Sequence, residues 1–104
     1  MKLEITASRL AELGHETRLA IYRELIKAGN LGVAVGDIKD AIGIPNSTLS
    51  HHLSRLVSVG LVRQERQGTT LLCIAECDAL NDVLNFLTEE CCVHEKCHSN
   101  TACG

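Results

Sequence analysis

The sequence predicts a mainly helical domain that carries one β-hairpin. Apolar residues recur at helical spacing along much of the 104-residue chain. The spacing changes to alternation in "LVRQERQGTTLLCIA", residues 61–75, where Gln67-Gly68 marks a turn between two β-favouring runs. A short helix, a tight turn and a helix with a small, polar outer surface also follow one another in mid-chain. These observations predict the order helix, helix, short helix, turn, helix, hairpin, helix.

Two helices are predicted at the start of the chain. In "LEITASRLAEL", Leu3, Ala7 and Leu10 recur at helical spacing. "HETRLAIYRELIKAGN" repeats the pattern over residues 15–30. Gly14 separates the two helices, and Gly29-Asn30 favours a left-handed exit from the second. The following "LGVAVG", residues 31–36, is predicted to be a loop.

A short helix and a polar-faced helix are predicted next. "DIKDAIG" starts with Asp37 as its N-cap and ends at Gly43, after which "IPN" turns the chain sharply. In "STLSHHLSRLVSVG", one apolar stripe leaves the polar side chains on the other faces. The stripe consists of Leu49, Leu53, Leu56 and Val57.

This arrangement is typical of a winged helix-turn-helix, in which the second helix enters the major groove of DNA and the hairpin, about residues 61–75, contacts the adjacent backbone. Hydroxyl, amide and arginine side chains suit contacts with base edges and phosphates. The net charge of −3 conceals a local excess of +2 over residues 44–75 and of −5 over residues 76–104. The candidate DNA contacts are Asn46, Ser47, Thr48, Ser50, His51, His52 and Arg55 on the helix, with Arg63, Arg66 and Gln67 on the wing.

The last helix is predicted over about residues 78–92. Leucines recur there at intervals of four and three, as on one side of a coiled-coil pair. A second copy of the chain is the expected partner, so the terminal helices would form a homodimer. The candidate interface residues are Leu3, Leu10, Leu80, Val83, Leu84 and Leu87. Residues 1–90 would then be a DNA-binding and dimerisation domain, and residues 91–104 a cysteine-rich tail that senses a ligand.

Composition narrows the class of protein. The first residues lack the apolar core of a signal peptide and no apolar run could span a bilayer, which predicts a cytoplasmic protein without a membrane partner. In that compartment six cysteines are expected to be thiols rather than a disulfide framework. No nucleophile, base and orienting group converge, and phosphate-binding glycine patterns are missing, so an enzyme is not expected.

Three segments give the chain a resemblance to the ArsR/SmtB family of dimeric winged-helix repressors that respond to metal ions: "ETRLAIYRELIKAG", "LSHHLSRLVSVGLV" and "RQGTTLLCIA". It covers roughly residues 7–90. The resemblance implies a homodimer that binds an inverted-repeat operator and is released by a ligand. Thr48, Ser50 and His52 occupy matching positions in the recognition helix. His51 stands where family members often have Arg, and a neutral imidazole makes a weaker phosphate contact.

Family members place their sensing sites on different elements. The Cys-x-Cys at the recognition helix is absent here, Asp82 is not followed by the histidine of a zinc-type site, and residues 1–72 contain no cysteine for a redox pair. The remaining candidate is "TEECCVHEKC", residues 88–97.

Cys91, Cys92 and Cys97 are the candidate ligands. On one helix Cys97 would lie about 240° and 140° around the axis from the other two, so the helix must break if the three share a ligand. Pyramidal As(III) or Sb(III) takes three thiolates, and methylarsenite takes two. Alternatives are a Zn, Cd or Pb site that recruits His94, His98 or Cys103, a thiol-rich metal buffer, or no ligand. Cys73 is expected to be a core residue and Cys77 to serve a turn or packing.

Overall fold

A computed structural model describes residues 2–95. Its order of elements is α1 (Lys2–Leu13), α2 (Glu16–Ala28), a 3₁₀ turn (Gly29–Leu31), β1 (Val33–Ala34), α3 (Val35–Ile42), α4 (Asn46–Ser58), β2 (Val62–Gln67), β3 (Thr70–Ala75) and α5 (Cys77–Thr88). The mainly helical winged helix-turn-helix predicted from the sequence is confirmed. No helix within residues 2–95 is both long and apolar enough to cross a bilayer.

The wing consists of β2 and β3, which pair antiparallel from Val62 opposite Ala75 to Gln67 opposite Thr70. The turn between the strands contains Gly68, whose φ of 64° lies in the left-handed region that favours glycine. The glycine recognised in the sequence therefore permits the hairpin reversal.

A short third strand was not predicted. Val33 and Ala34 pair with Cys73 and Leu72, which makes a sheet of order β1-β3-β2 where the sequence predicted a loop. Helix α3 then begins directly at Val35, so the prediction of Asp37 as its N-cap was wrong. Asp37 lies in the first helical turn instead, where its negative charge favours the positive end of the helix dipole.

The core lies between α2, α4 and the sheet. Helix α2 contributes Ile21, Tyr22 and Leu25, and α4 contributes Leu49, Leu53 and Leu56. Ile38 of α3 and Cys73 of β3 are also fully buried, which confirms the packing role predicted for Cys73. Burial raises the pKa of the Cys73 thiol. Because the core includes one side of α4, this helix has a fixed orientation, and its opposite side faces solvent.

Helix α5 is shorter at its C-terminal end than predicted. The sequence predicted a helix over about residues 78–92, but α5 ends at Thr88 and residues 89–94 form turns. The last helical turn contains no basic residue, and Glu89 and Glu90 follow it directly. Carboxylates at the negative end of a helix dipole disfavour its continuation. The thiols of residues 91 and 92 therefore lie beyond the helix rather than on it.

Candidate DNA interface and thiol site

A tight turn sets the start of α4, the recognition helix. Gly43 ends α3 in the left-handed conformation, with φ 77° and ψ 38°, and its N–H donates to the carbonyl of Lys39 at 2.7 Å. Extended Pro45 then precedes α4, and its carbonyl accepts the N–H of Leu49 at 3.0 Å. The turn needs only Gly43, Ile44 and Pro45, so α3 and α4 keep the fixed relation of a helix-turn-helix.

The outer face of the recognition helix is polar and open to solvent. Its three leucines are buried, whereas Val57, predicted to belong to the same stripe, is exposed, and most of the polar side chains project outward. Six of the predicted contacts are exposed: Asn46, Ser47, Thr48, Ser50, His51 and Arg55. Ser54 is exposed as well and was not predicted, although its position four residues after Ser50 would have placed it on the same face.

His52 is not on that face. It is 6% exposed, and the Nη1 of Arg18 lies 3.2 Å from its Nδ1. The ring of His15 lies 4.8 Å away between centroids. Burial lowers the pKa of His52, and the charges of Arg18, His15 and His51 lower it further. A neutral ring can accept the Arg18 N–H at Nδ1, so His52 joins α2 to α4. The prediction that it contacts DNA does not fit this burial.

A second link across the helices involves Glu12, which no sequence pattern singled out. Glu12 is 8% exposed, and its carboxylate pairs with Arg18 at 3.4 Å and with Arg55 at 3.0 Å. Its position in the last turn of α1 gave no signal, because acidic residues on helix surfaces are common. Arg55 is thus both a solvent-exposed side chain of the recognition helix and the partner of a buried carboxylate.

The two arginines of the wing lie on opposite faces of the sheet. Arg63 pairs with Glu65 at 3.1 Å and Glu76 at 2.6 Å, and hydrogen bonds to these carboxylates raise its pKa. Since side chains alternate along a strand, Gln64 and Arg66 point to the other side. Gln64 lines a cleft of about 300 Å³ together with Ser50 and Ser54 of the recognition helix.

Arg66 and the exposed Gln67 therefore remain candidates for DNA contact, and Arg66 lies on the same side of the wing as the recognition helix. Within residues 2–95 no ion pair involves Arg66. Arg63 does not fit the predicted role, because two carboxylates offset its charge and its strand position directs it away from α4.

Two thiols meet just beyond α5. The Sγ atoms of Cys91 and Cys92 are 3.4 Å apart, and the N–H of Cys91 donates to the carbonyl of Thr88 at 2.9 Å. Cys92 has a φ of 58°, a left-handed conformation that L-residues rarely adopt. The cysteine spacing called for a break after Cys92 if the three thiols share a ligand, whereas α5 already ends at Thr88, before the pair.

The third predicted ligand, Cys97, lies outside the described residues, as do His98 and Cys103. Among residues 2–95, no group of three His, Cys, Asp or Glu side chains is placed to hold a metal ion. Cys77 is exposed at the opposite end of α5 from Cys91 and Cys92. The described part of the chain thus supplies a pair of adjacent thiols.

An apolar face extends over α1 and α5, which pack against each other. Leu3, Leu84 and Leu87 are at least half exposed. Leu80 is half-buried against the protomer's own core. Val83 is 1% exposed inside the protomer, so its predicted place in an intersubunit seam was wrong. We define the apolar face by its exposed members: Leu3, Leu10, Leu84 and Leu87.

Comparisons with known proteins agree with this architecture. A family model described as a helix-turn-helix domain matches residues 13–65. The chain is 33% identical over 86 residues to the nodulation protein NolR of Rhizobium meliloti, which covers 83% of the chain and 68% of the relative. It is 35% identical over 60 residues to ArsR2 of Halobacterium salinarum, assigned as an arsenical resistance operon repressor, over 58% of the chain and half of that relative.

A solved structure shares the fold over nearly the whole chain. It is a homodimeric winged helix-turn-helix DNA-binding domain from Mycobacterium bovis, a candidate ArsR-family transcriptional regulator. The TM-score is 0.69 at 27% identity, with 93% of this chain and 90% of the other chain covered.

The exposed recognition helix, the wing and these likenesses define a DNA-binding transcription regulator of the helix-turn-helix class. Within that class, the chain belongs to the ArsR family. Proteins of this family regulate transcription and are not enzymes, and the same holds here.

The buried imidazole of His52 should make stability depend on pH. In the unfolded chain His52 takes up a proton near its ordinary pKa of 6.5, whereas in the folded protein it stays neutral to lower pH. The unfolded state then binds more protons, so the free energy of unfolding should decrease as the pH falls below about 6.5. Urea unfolding measured above and below this pH should show the decrease, and His52→Gln should reduce it. His51→Gln, a change to the exposed neighbouring imidazole, should retain it; equal pH dependence in both variants would contradict the assignment.

The two wing arginines should differ in DNA binding. Arg66→Ala should weaken binding on specific and random DNA alike, because a phosphate contact carries no sequence information. The plot of log K against log salt should become less steep, by about 0.9 for each phosphate interaction that the substitution removes. Arg63→Ala is the matched control and should leave this slope unchanged. Fluorescence anisotropy at several salt concentrations measures both, and equal effects of the two variants would rule out the division between the faces of the wing.

Proposed function

We propose that the protein is a metalloid-responsive transcriptional repressor. A homodimer binds an inverted-repeat operator without ligand, and As(III) or Sb(III) captured by cysteine thiolates releases it. The observation that carries this proposal is the 3.4 Å approach of the Cys91 and Cys92 sulfurs directly after α5. Two thiols at this separation can bind one arsenic or antimony atom together. Because they directly follow α5, which carries part of the apolar face, their ligand can influence the spacing of the recognition helices in the dimer.

The chemistry of the thiol pair favours a metalloid. Trivalent arsenic forms pyramidal thiolate complexes that need no fourth ligand, and soft thiolates prefer such a centre to hard cations. A structural zinc site would need four tetrahedral ligands, and zinc pairs of cysteines usually have a two-residue spacer. Cys91 and Cys92 have none. We assign Cys97 as the third thiolate for inorganic arsenite, while methylarsenite would need only the adjacent pair.

The apolar face supplies the dimer. Its four exposed leucines on α1 and α5 form a surface that a second copy can cover symmetrically. A homodimer holds two recognition helices at a fixed separation, which suits two half-sites of an inverted repeat. The solved Mycobacterium bovis domain is itself homodimeric.

Ligand capture would act through α5. The thiol pair follows Thr88 within a few residues, and the Lys2 ammonium lies 3.9 Å from the Glu89 carboxylate, so the segment after α5 reaches the start of α1. Thiolate capture that redirects this segment would disturb both helices of the dimer interface and the spacing of the recognition helices. A useful switch needs a coupling of roughly 3 kcal/mol between ligand and DNA, or about 150-fold in affinity.

The apolar face predicts how the protein assembles. Leu84→Glu would bury one unpaired charge from each subunit in a symmetric interface, so sedimentation should show monomers and operator affinity should collapse. Asn85→Glu adds the same charge to a neighbouring exposed position that points away from the leucine seam. This control should remain dimeric. An unaltered protein that sediments as a monomer would refute the interface.

The thiols predict a distinct response for each arsenical. Cys97→Ser should largely abolish release from promoter DNA by arsenite but keep much of the response to methylarsenite, because only inorganic arsenite needs a third thiolate. Cys91→Ser and Cys92→Ser should lose both responses. All three variants should bind DNA normally without ligand, since their substitutions lie outside the recognition helix and wing.

Fluorescence anisotropy on promoter DNA, titrated with arsenite, methylarsenite, zinc and cadmium, measures these responses. Cys77→Ser is the matched control, because this exposed thiol lies at the opposite end of α5. It should respond like the unaltered protein. Full arsenite release from Cys97→Ser would contradict the three-thiolate assignment, and release by zinc alone would contradict the metalloid assignment.

A further inference from the structure

Glu12 is a charged side chain in the interior whose role neither the core nor the proposed ligand site explains. It lies in the last turn of α1 and is 8% exposed. A buried carboxylate is costly unless it is paired and hydrogen-bonded. The Arg18 side chain, only 12% exposed, provides that pairing. The second guanidinium on the same carboxylate, that of Arg55, is the contact that charge pairing alone does not require.

The geometry connects Glu12 to the recognition helix. Arg55 approaches it in a fork: Nη2 lies 3.0 Å from Oε2, and Nε donates to Oε1 at 3.2 Å. Two parallel contacts between guanidinium and carboxylate fix the plane of the guanidinium as well as its position. Arg18 pairs with the same carboxylate at 3.4 Å and donates through Nε to the backbone carbonyl of Glu12 at 2.8 Å. The carboxylate is thus fixed from α2 while it holds a side chain of α4.

Arg55 keeps a donor edge for another partner. Its Nε–Nη2 edge faces Glu12, whereas its Nη1 makes no hydrogen bond or ion pair within residues 2–95. The side chain is 53% exposed and lies one helical turn after the exposed His51. An arginine already fixed in this orientation would lose little rotamer freedom when a phosphate binds its outer edge.

The local charge also favours an anion. One carboxylate is shared between two guanidinium groups, so the cluster of Glu12, Arg18 and Arg55 carries a net positive charge. The adjoining His52 adds no negative charge. Glu12 therefore fixes Arg55 without cancelling the positive field at the surface.

We infer that Glu12 is a positioning residue for DNA binding, which holds Arg55 with its outer edge toward a backbone phosphate. This inference rests on the proposed use of α4 as the DNA-reading helix, but not on arsenical sensing. If Glu12 instead withdrew Arg55 from DNA, loss of the Glu12 charge would strengthen DNA binding. The two roles therefore predict opposite changes in DNA affinity when Glu12 is neutralised.

The test measures promoter DNA affinity and its salt dependence without any arsenical. Glu12→Gln should lower affinity by about five- to tenfold and reduce the magnitude of the slope of log K against log salt by about 0.9 per subunit, and Arg55→Ala should do the same. The double variant should have the same slope as Arg55→Ala alone, because both changes remove the same phosphate interaction. Glu24→Gln is the matched control: it removes the same charge from a carboxylate that pairs with Lys27 on α2, and it should keep the slope.

Thermal unfolding separates positioning from a merely structural role. If Glu12 were only structural, its substitution would lower the melting temperature but would not change the salt dependence of DNA binding. If Glu12→Gln does not fold, Glu12→Asp keeps the charge but withdraws the carboxylate by one methylene, and it should show the reduced slope. Higher affinity or an unchanged slope in a folded Glu12 variant would overturn the inference. An unaltered protein that binds promoter DNA but ignores arsenite would overturn the proposed ligand and leave this inference standing.

Discussion

Burial of the leucine stripe on α4 is the constraint on which the rest of the structure depends. Leu49, Leu53 and Leu56 are almost completely excluded from solvent and pack with α2 and the sheet. Each fully buried leucine contributes on the order of 2 kcal/mol from the apolar area it removes from water. Rotation of α4 about its axis would expose these side chains, so the packing fixes which polar residues face outward. The DNA-binding surface is thus a consequence of the core.

Polar links between helices complete this constraint. The leucines fix the rotation of α4, whereas Glu12, Arg18 and His52 tie it to α1 and α2 through directional contacts. Apolar packing tolerates small shifts of one helix along another. A forked ion pair resists such shifts, because they would break its two directional hydrogen bonds. The combination suits a protein whose recognition helix must meet a DNA groove of given dimensions.

Local patterns predicted most of the fold but not the partners of individual polar side chains. Helical spacing, Gly43 and the Gln67-Gly68 turn are encoded over a few residues, and they predicted the order of the helices and the wing, but not where α3 begins or where α5 ends. β1 escaped prediction because two residues form a strand only through distant β3. His51 and His52 are identical in chemistry and adjacent in sequence, so only the position of Arg18 shows which is buried. The apolar spacing around Val83 likewise did not separate a protomer core from a dimer seam.

Side chains along β2 point alternately to the two faces of the sheet, and this limits which mutations the wing can accept. Gln67 pairs with Thr70 across a two-residue turn, so the hairpin has no slack in which to absorb an extra residue. An insertion between Val62 and Arg66 would shift the following side chains to the opposite face, and Arg66 would leave the side of the recognition helix. Sequence drift in the wing is therefore more readily accommodated by substitution than by insertion. Strand length, as much as the presence of an arginine, determines whether the wing presents positive charge to DNA.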